Sequence, residues 1–151
     1  MENLERLLQQ HDFLKGLEEA QTAKLVSCVK NVRFAPGAFL MREGDEASTF
    51  YLLRVGRVAL EVDVPGSGPV VMESVEPGDI VGFSWLFPPH RVHLDARAVE
   101  HVVALSFDGA CLRGKMEADH DLGFALTRRL LAESYKRLQR VRLQRLDVYT
   151  G

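Results

Sequence analysis

The sequence predicts a mainly β domain, a small antiparallel barrel or jelly roll, with helical segments at both ends. Three observations predict it. Glycines punctuate the middle of the chain at Pro36-Gly37, Arg42-Glu43-Gly44-Asp45, Val55-Gly56-Arg57, Glu76-Pro77-Gly78-Asp79 and Gly82, and glycine is favoured where a chain turns through positive φ. Between these turns lie short runs rich in β-branched and aromatic residues, the pattern of strands separated by regular turns. Before and after that region the apolar spacing becomes helical. A barrel of this size has room for one small ligand at most, so the chain reads as a sensor or binding module rather than a multi-part enzyme.

Composition sets the bounds. A chain of 151 residues with 46% apolar content fits one domain with a core that needs no metal or disulfide. Nineteen Lys and Arg against 21 Asp and Glu leave a net charge of −2, which argues against an overall electrostatic design for nucleic acid. No apolar stretch approaches the roughly 20 residues that span a bilayer, so no membrane association is predicted. Cys28 and Cys111 are the two cysteines. Isolated in sequence, in a chain without an apolar leader, they predict reduced thiols and a cytoplasmic setting.

The chain divides into helical residues 1–30, β residues 31–107 and helical residues 108–148. In the first part Leu4, Leu7 and Leu8, then Phe13, Leu14 and Leu17, then Leu25 and Val26 recur at helical spacing from Glu2 onward, with a break at Gly16 and Thr22 as a candidate cap. In the second, Thr49 to Asp63 reads as the clearest hairpin, because Val58, Leu60 and Val62 alternate with Arg57, Ala59, Glu61 and Asp63, and Gly56 supplies a turn. Pro65-Gly66-Ser67-Gly68-Pro69 reads as a loop unfit for a sheet centre. Arg91 to Glu100 alternates again, with Val92, Leu94, Ala96 and Ala98 on one face. In the third part Asp108 is a candidate cap for one helix, and Asp119 or Asp121 for the next.

The last helix, about Leu122 to Val148, is roughly twice the usual globular length. It mixes Arg128, Arg129, Lys136, Arg137, Arg140, Arg142 and Arg145 with an apolar series in which Leu131, Tyr135, Leu138 and Val141 follow 4-3-3 spacing. Such spacing supports a helix-helix seam, and pairing two copies of the chain is the simplest way to cover it. A basic solvated face with a single stripe lying on the domain is the alternative. Seven cations spread around the helix make a weak nucleic-acid surface.

The run Phe34-Ala35-Pro36-Gly37, Arg42-Glu43-Gly44-Asp45, Phe50-Tyr51-Leu52-Leu53, Gly56-Arg57-Val58 and Glu76-Pro77-Gly78-Asp79-Ile80-Val81-Gly82 resembles the cyclic nucleotide-binding domain of the catabolite activator and protein kinase regulatory subunit superfamily. The resemblance extends from Phe13 to Val148. It implies an eight-stranded antiparallel jelly roll flanked by N-terminal helices and a long C-terminal helix that transmits ligand binding to a partner protein. It also implies a cytoplasmic, stand-alone member: a helix-turn-helix reader would begin near Leu146-Asp147-Val148, where only Tyr149, Thr150 and Gly151 remain, so operator binding is not expected unless the chain is a trimmed regulator.

In that family a phosphate-binding cassette follows the glycine matched by Gly82, with a Glu holding the ribose and an Arg followed by Ser or Thr holding the cyclic phosphate. A buried phosphodiester needs such a fixed cation and donors. Here Phe83 stands at the Glu position, and counting back from Arg97-Ala98 places Val92 at the Arg and His93 at the hydroxyl residue. Arg91 is one residue away, a slip that reverses the face in a regular strand, although an irregular segment after Pro88-Pro89 would let it turn inward. The run Gly82-Phe83-Ser84-Trp85-Leu86-Phe87-Pro88-Pro89 is similar to the variant cassette of a group of stand-alone bacterial members. Two readings stay open. In one, Ser84, Arg91 and His93 hold a cyclic nucleotide or another small anion while Phe83 and Trp85 stack on it, with Lys136 and Arg137 near the ligand end of the last helix. In the other, Phe83, Trp85, Leu86 and Phe87 are core, His93 pairs with Asp95, and the domain is a ligand-free scaffold.

The five histidines, His90 and His93 among them, invite a metal or haem reading, but a third ligand at plausible spacing is lacking apart from Asp95, so no metal site is assigned. No nucleophile, base and oxyanion set assembles from the sequence, and the chain is read as a non-enzyme.

Overall fold

The computed structural model describes residues 3–150, and side chains as far as residue 147; Glu2, Gly151 and the side chains of Val148 to Thr150 lie outside the described part. Within it, four α-helices and eight strands succeed one another as α1 (Leu4–Gln10), α2 (Glu19–Leu25), β1 (Val29–Phe34), β2 (Phe39–Met41), β3 (Thr49–Val55), β4 (Val58–Val64), β5 (Gly68–Val75), β6 (Ile80–Val81), β7 (Asp95–Ala98), β8 (Val102–Asp108), α3 (Gly109–Ala118) and α4 (His120–Thr150). The strands form two antiparallel four-stranded sheets, ordered β1-β8-β3-β6 and β2-β7-β4-β5. This is the eight-stranded jelly roll with flanking helices and a long C-terminal helix that the sequence predicts.

The two sheets enclose one apolar layer and the helices cover a second. Tyr51, Leu53, Val81, Val102 and Ala104 face the second sheet, where Leu40, Val58, Leu60, Val75, Ala96 and Ala98 meet them. Their strand neighbours Phe50, Leu52, Ile80, Leu105 and Phe107 point the other way, against Leu8, Leu14, Leu25, Leu112, Leu122 and Leu126 of the helices. Alternate residues of a strand face opposite sides, so β3 and β8, covered on both, read as continuous apolar runs instead of alternating ones.

Three local expectations are corrected. The chain through Gly56 is not a hairpin: β3 and β4 belong to different sheets, and the turn carries the chain between them. Gly56 has φ +90, and a Cβ there would lie 2.2 Å from the His101 carbonyl oxygen, so this close crossing admits no side chain. The hairpin is instead β4 with β5, in which Gly68 and Pro69 pair with Val64 and Asp63; Pro69 is tolerated because β5 is an edge strand. Thr22 is not a cap but sits inside α2, donating its hydroxyl to the Glu18 carbonyl, while Glu18 and Gln21 form the capping box. The stretch Arg91 to Leu94 is irregular, tied to the loop before β3 by an isolated bridge between Glu46 and Arg91 and by backbone hydrogen bonds of Val92 to Gly44 and Asp45.

Cys28 and Cys111 are not free thiols: they form a disulfide across 83 positions of sequence. It ties the segment before β1 to α3. The cysteines look isolated in sequence because their pairing depends on the fold, and that pairing removes the argument from reduced thiols to a cytoplasmic setting. Among the described residues no helix is long and apolar enough to cross a membrane.

Helix boundaries follow local chemistry. Asp108 caps α3 by accepting the Cys111 N–H at 3.1 Å, and Asp119 accepts the Leu122 N–H at 3.2 Å at the start of α4. Along α4, Leu122, Leu126 and Leu130 are buried. The face carrying Phe124, Leu131, Tyr135, Leu138 and Val141 is exposed, Leu131 by 68%, so the domain covers only one side of this helix.

Candidate functional site

A cavity of about 130 Å³ lies between the strands and α4, at the segment that begins with Gly82. Gly82 has φ +103, and a Cβ there would come within 3.2 Å of Met41 Cε and 3.4 Å of Phe50 Cβ; glycine lets β6 end beside the core and turn into the cassette. A 3-10 turn over Ser84–Leu86 comes next, then a cis Pro88-Pro89 bond and His90 at φ 56. This irregular path aims successive side chains in directions a strand would not allow.

The two aromatic residues of the segment have different roles. Trp85 is fully buried and stacks on Phe50 with ring centroids 4.7 Å apart; Phe50 stacks in turn on Phe107 at 4.6 Å. Arg113 of α3 donates to its carbonyl oxygen, and the backbone of Gly109 packs against it, leaving 3.1 Å between a hypothetical Cβ and the Trp85 Cβ. One edge of Trp85 lines the cavity, yet the ring is part of the core. Phe83 is only half-buried. It also lines the cavity, and the Arg137 guanidinium lies over its ring at 4.9 Å.

Arg137 is the cation of this site. It comes from α4, is 11% exposed, donates to the Ile80 carbonyl and lies 3.8 Å from Glu73. Burial lowers its pKa from the ordinary value, opposed by the nearby Glu73 and Asp79 carboxylates, and a guanidinium so placed remains charged. Arg140, a turn further on, reaches Glu73 at 4.0 Å and Asp79 at 3.9 Å. Two arginines of α4 therefore hold the helix to β5 and to the turn before β6.

The other sequence candidates divide. Ser84, Val92 and His93 line the cavity, Val92 being buried and held by its own N–H to the Asp45 carbonyl at 2.9 Å. Arg91 is exposed and is not among the cavity-lining residues, so the irregular path does not turn it inward. Phe87 is 61% exposed and is not core. His93 does not pair with Asp95 in the described contacts; Asp95 accepts the Glu43 N–H at 2.8 Å. Lys136 is exposed, paired with Glu133 at 3.3 Å, and is not among the cavity-lining residues. No group of three or more metal-ligating side chains gathers among the described residues.

Residues missed in the sequence are Met41, Ala47, Thr49, Leu60, Val81 and Leu94 of the cavity wall, and Glu73, the partner of both arginines. Nothing in their spacing marks them, because four strands and a loop converge on the cavity. Inward-facing positions of β3, β4 and β6 were the available signal.

A family model for the cyclic nucleotide-binding domain matches residues 31–119. The crystal structure of a protein of Geobacter metallireducens GS-15, named for cyclic nucleotide binding, is 30% identical and superposes with a TM-score of 0.79 over 91% of this chain and 99% of that one. Human cGMP-dependent protein kinase 2 is 28% identical over 112 residues, 74% of this chain. The acetyltransferase Pat of Mycolicibacterium smegmatis (strain ATCC 700084 / mc(2)155) is 34% identical over 71 residues, 47% of this chain. This chain spans 14% of the length of the kinase and 21% of that of the acetyltransferase. With the jelly roll, the glycine-initiated segment, the long C-terminal helix and a family match over more than half its length, the chain belongs to the cyclic nucleotide-binding domain family.

Proposed function

We propose that the chain is a ligand-sensing regulatory domain, not a catalytic one, in which a small anionic molecule bound beside Gly82 changes the position of α4 and so signals to a partner protein. The observation that carries this reading is Arg137: one side chain lies over a cavity wall and also fastens α4 to the Ile80 carbonyl and Glu73. A ligand that binds Arg137 differently in two helix positions supplies the differential contact that a population shift needs. The family to which the chain belongs, with the cyclic nucleotide named for the Geobacter protein and the cGMP named for the kinase, makes cyclic nucleotides the first compounds to test. Phe83 and Val92 at the positions of the family's ribose and phosphate anchors make the cassette non-standard, with Ser84 and His93 as the remaining polar groups.

The exposed face of α4 fits a homodimer. Leu131, Tyr135, Leu138 and Val141 lie on the side the domain leaves uncovered, and a second copy covers it by two-fold symmetry. Light scattering of the purified chain tests this, with a mass of twice 16.9 kDa as the expected result.

A second reading, a scaffold without ligand, is favoured by the cavity's size, since about 130 Å³ is below the roughly 300 Å³ at which small-molecule pockets usually begin. Calorimetric titration with cyclic AMP, cyclic GMP and cyclic dinucleotides, alongside a panel of small anions, separates the two. Saturable heat with a thermal shift supports the sensor. No heat and no shift with any compound supports the scaffold.

A further inference from the structure

The dimensions and lining of the cavity narrow the ligand class, given the proposed role of this site in taking up a small molecule. About 130 Å³ is close to the volume of an apolar cavity that admits benzene, on the order of 150 Å³, and too small for a base, a ribose and a phosphate together. The wall is mostly carbon, from Met41, Leu60, Val81, Val92 and Leu94 together with Phe83. Among the lining residues Arg137 is the one permanent cation and none is a carboxylate. Two lining residues also carry buried N–H groups without an acceptor, Trp85 Nε1 and Arg137 Nε; Glu73 is 3.8 Å from the latter, beyond hydrogen-bonding distance. Neither atom is open to the cavity as the side chains stand, so a ligand's acceptor oxygens reach the guanidinium when the Arg137 side chain turns toward them.

The geometry points to a small monocarboxylate with an apolar body, benzoate in size, as the ligand class, its carboxylate held by Arg137 and its body by the carbon wall. Carboxylate and guanidinium match as a planar charge-assisted pair. When Arg137 turns to the carboxylate, Glu73 keeps the Arg140 guanidinium as an ion-pair neighbour at 4.0 Å, while α4 loses one of its two fastenings.

Titration of the full chain with benzoate, its neutral isostere benzamide and cyclic AMP tests this by calorimetry, with fluorescence of Trp85, the single tryptophan, as a second readout. The expected result is one saturable site for benzoate, a Trp85 signal, and binding weaker by about tenfold or more for benzamide and for benzoate with Arg137→Gln, the range for losing a charged hydrogen bond. Ala47→Leu, which fills the cavity from a lining position, should abolish binding, and Arg128→Gln, on an exposed part of α4, should leave it unchanged. Circular dichroism confirms that each variant is folded. Cyclic AMP binding without benzoate binding overturns the ligand class and leaves the sensor standing. Benzoate binding that is indifferent to Arg137→Gln overturns the anchor. No binding by any of the three, or by the anion panel, overturns the ligand class and the sensor together.

Discussion

Trp85 and Phe83 stand two residues apart in one short segment and both line one cavity, yet they are supported in different ways. The Trp85 wall is part of the core: the ring stacks on Phe50, its carbonyl accepts from Arg113, and α3 behind it is tied through Cys111 to Cys28. The Phe83 wall has a half-exposed ring under a single guanidinium from α4. An aromatic-rich cassette is therefore not one unit. One ring belongs to the core, and the other packs under a side chain of α4.

The largest effect is expected at Trp85. Trp85→Ala should destabilise the domain by about 3–5 kcal/mol, the usual loss for a large buried aromatic, measured by urea denaturation. A loss no greater than that of an exposed residue would remove this wall from the core. Reducing the disulfide should cost about 2–4 kcal/mol through the long loop it closes, read as a lower denaturation midpoint in reductant. Phe83→Ala should cost about 1–2 kcal/mol, for partial burial and one cation–π contact, in the same assay. Equal losses at Trp85 and Phe83 would erase the distinction between the walls.

A further effect arises outside both walls. His11 is buried, its Nε2 at 2.9 Å from the Leu53 carbonyl oxygen and its Nδ1 accepting from the Phe13 N–H at 3.1 Å; the imidazole is therefore neutral, with its proton on Nε2. Burial lowers its pKa below the ordinary 6.5, although the Leu53 carbonyl and Asp12 pull the other way. A group depressed in the folded state binds more protons when unfolded, so its contribution is complete above about pH 6.5 and is lost as pH falls from there toward the folded value. The urea midpoint should drop between about pH 7.5 and pH 5.5, and His11→Gln should flatten the drop. An unchanged slope in that variant would assign the acid response to another group.

Much of the fold was legible because its turns are local chemistry. Gly37, Gly44, Gly56, Gly78 and Gly82 all adopt positive φ, and each was readable as a turn. Sheet membership was not legible at Gly56, since a hairpin and a crossing between sheets begin with the same few residues, and only the distant pairing of β4 with β5 and β7 distinguishes them. The continuous apolar runs of β3 and β8 hid their two buried faces for the same reason. The sequence singled out a segment that lines a cavity but could not divide its aromatic residues, because burial of Trp85 depends on Phe50 and Gly109, far along the chain. It named Lys136 and Arg137 together, of which Arg137 lines the cavity, and gave no sign of Glu73, whose approach to α4 exists only in the folded molecule. The disulfide joins positions with no sequence signature at all.

The proposed coupling of cavity to helix rests on Arg137, and amide hydrogen exchange along α4 tests it most directly. In the ligand-free protein, Arg137→Gln should speed exchange through residues 133–147 by releasing the helix from Ile80 and Glu73, while residues 122–130, anchored by Leu122, Leu126 and Leu130, keep their protection. Exchange unchanged along the whole of α4 would show that Arg137 does not fasten the helix, and the coupling would fall.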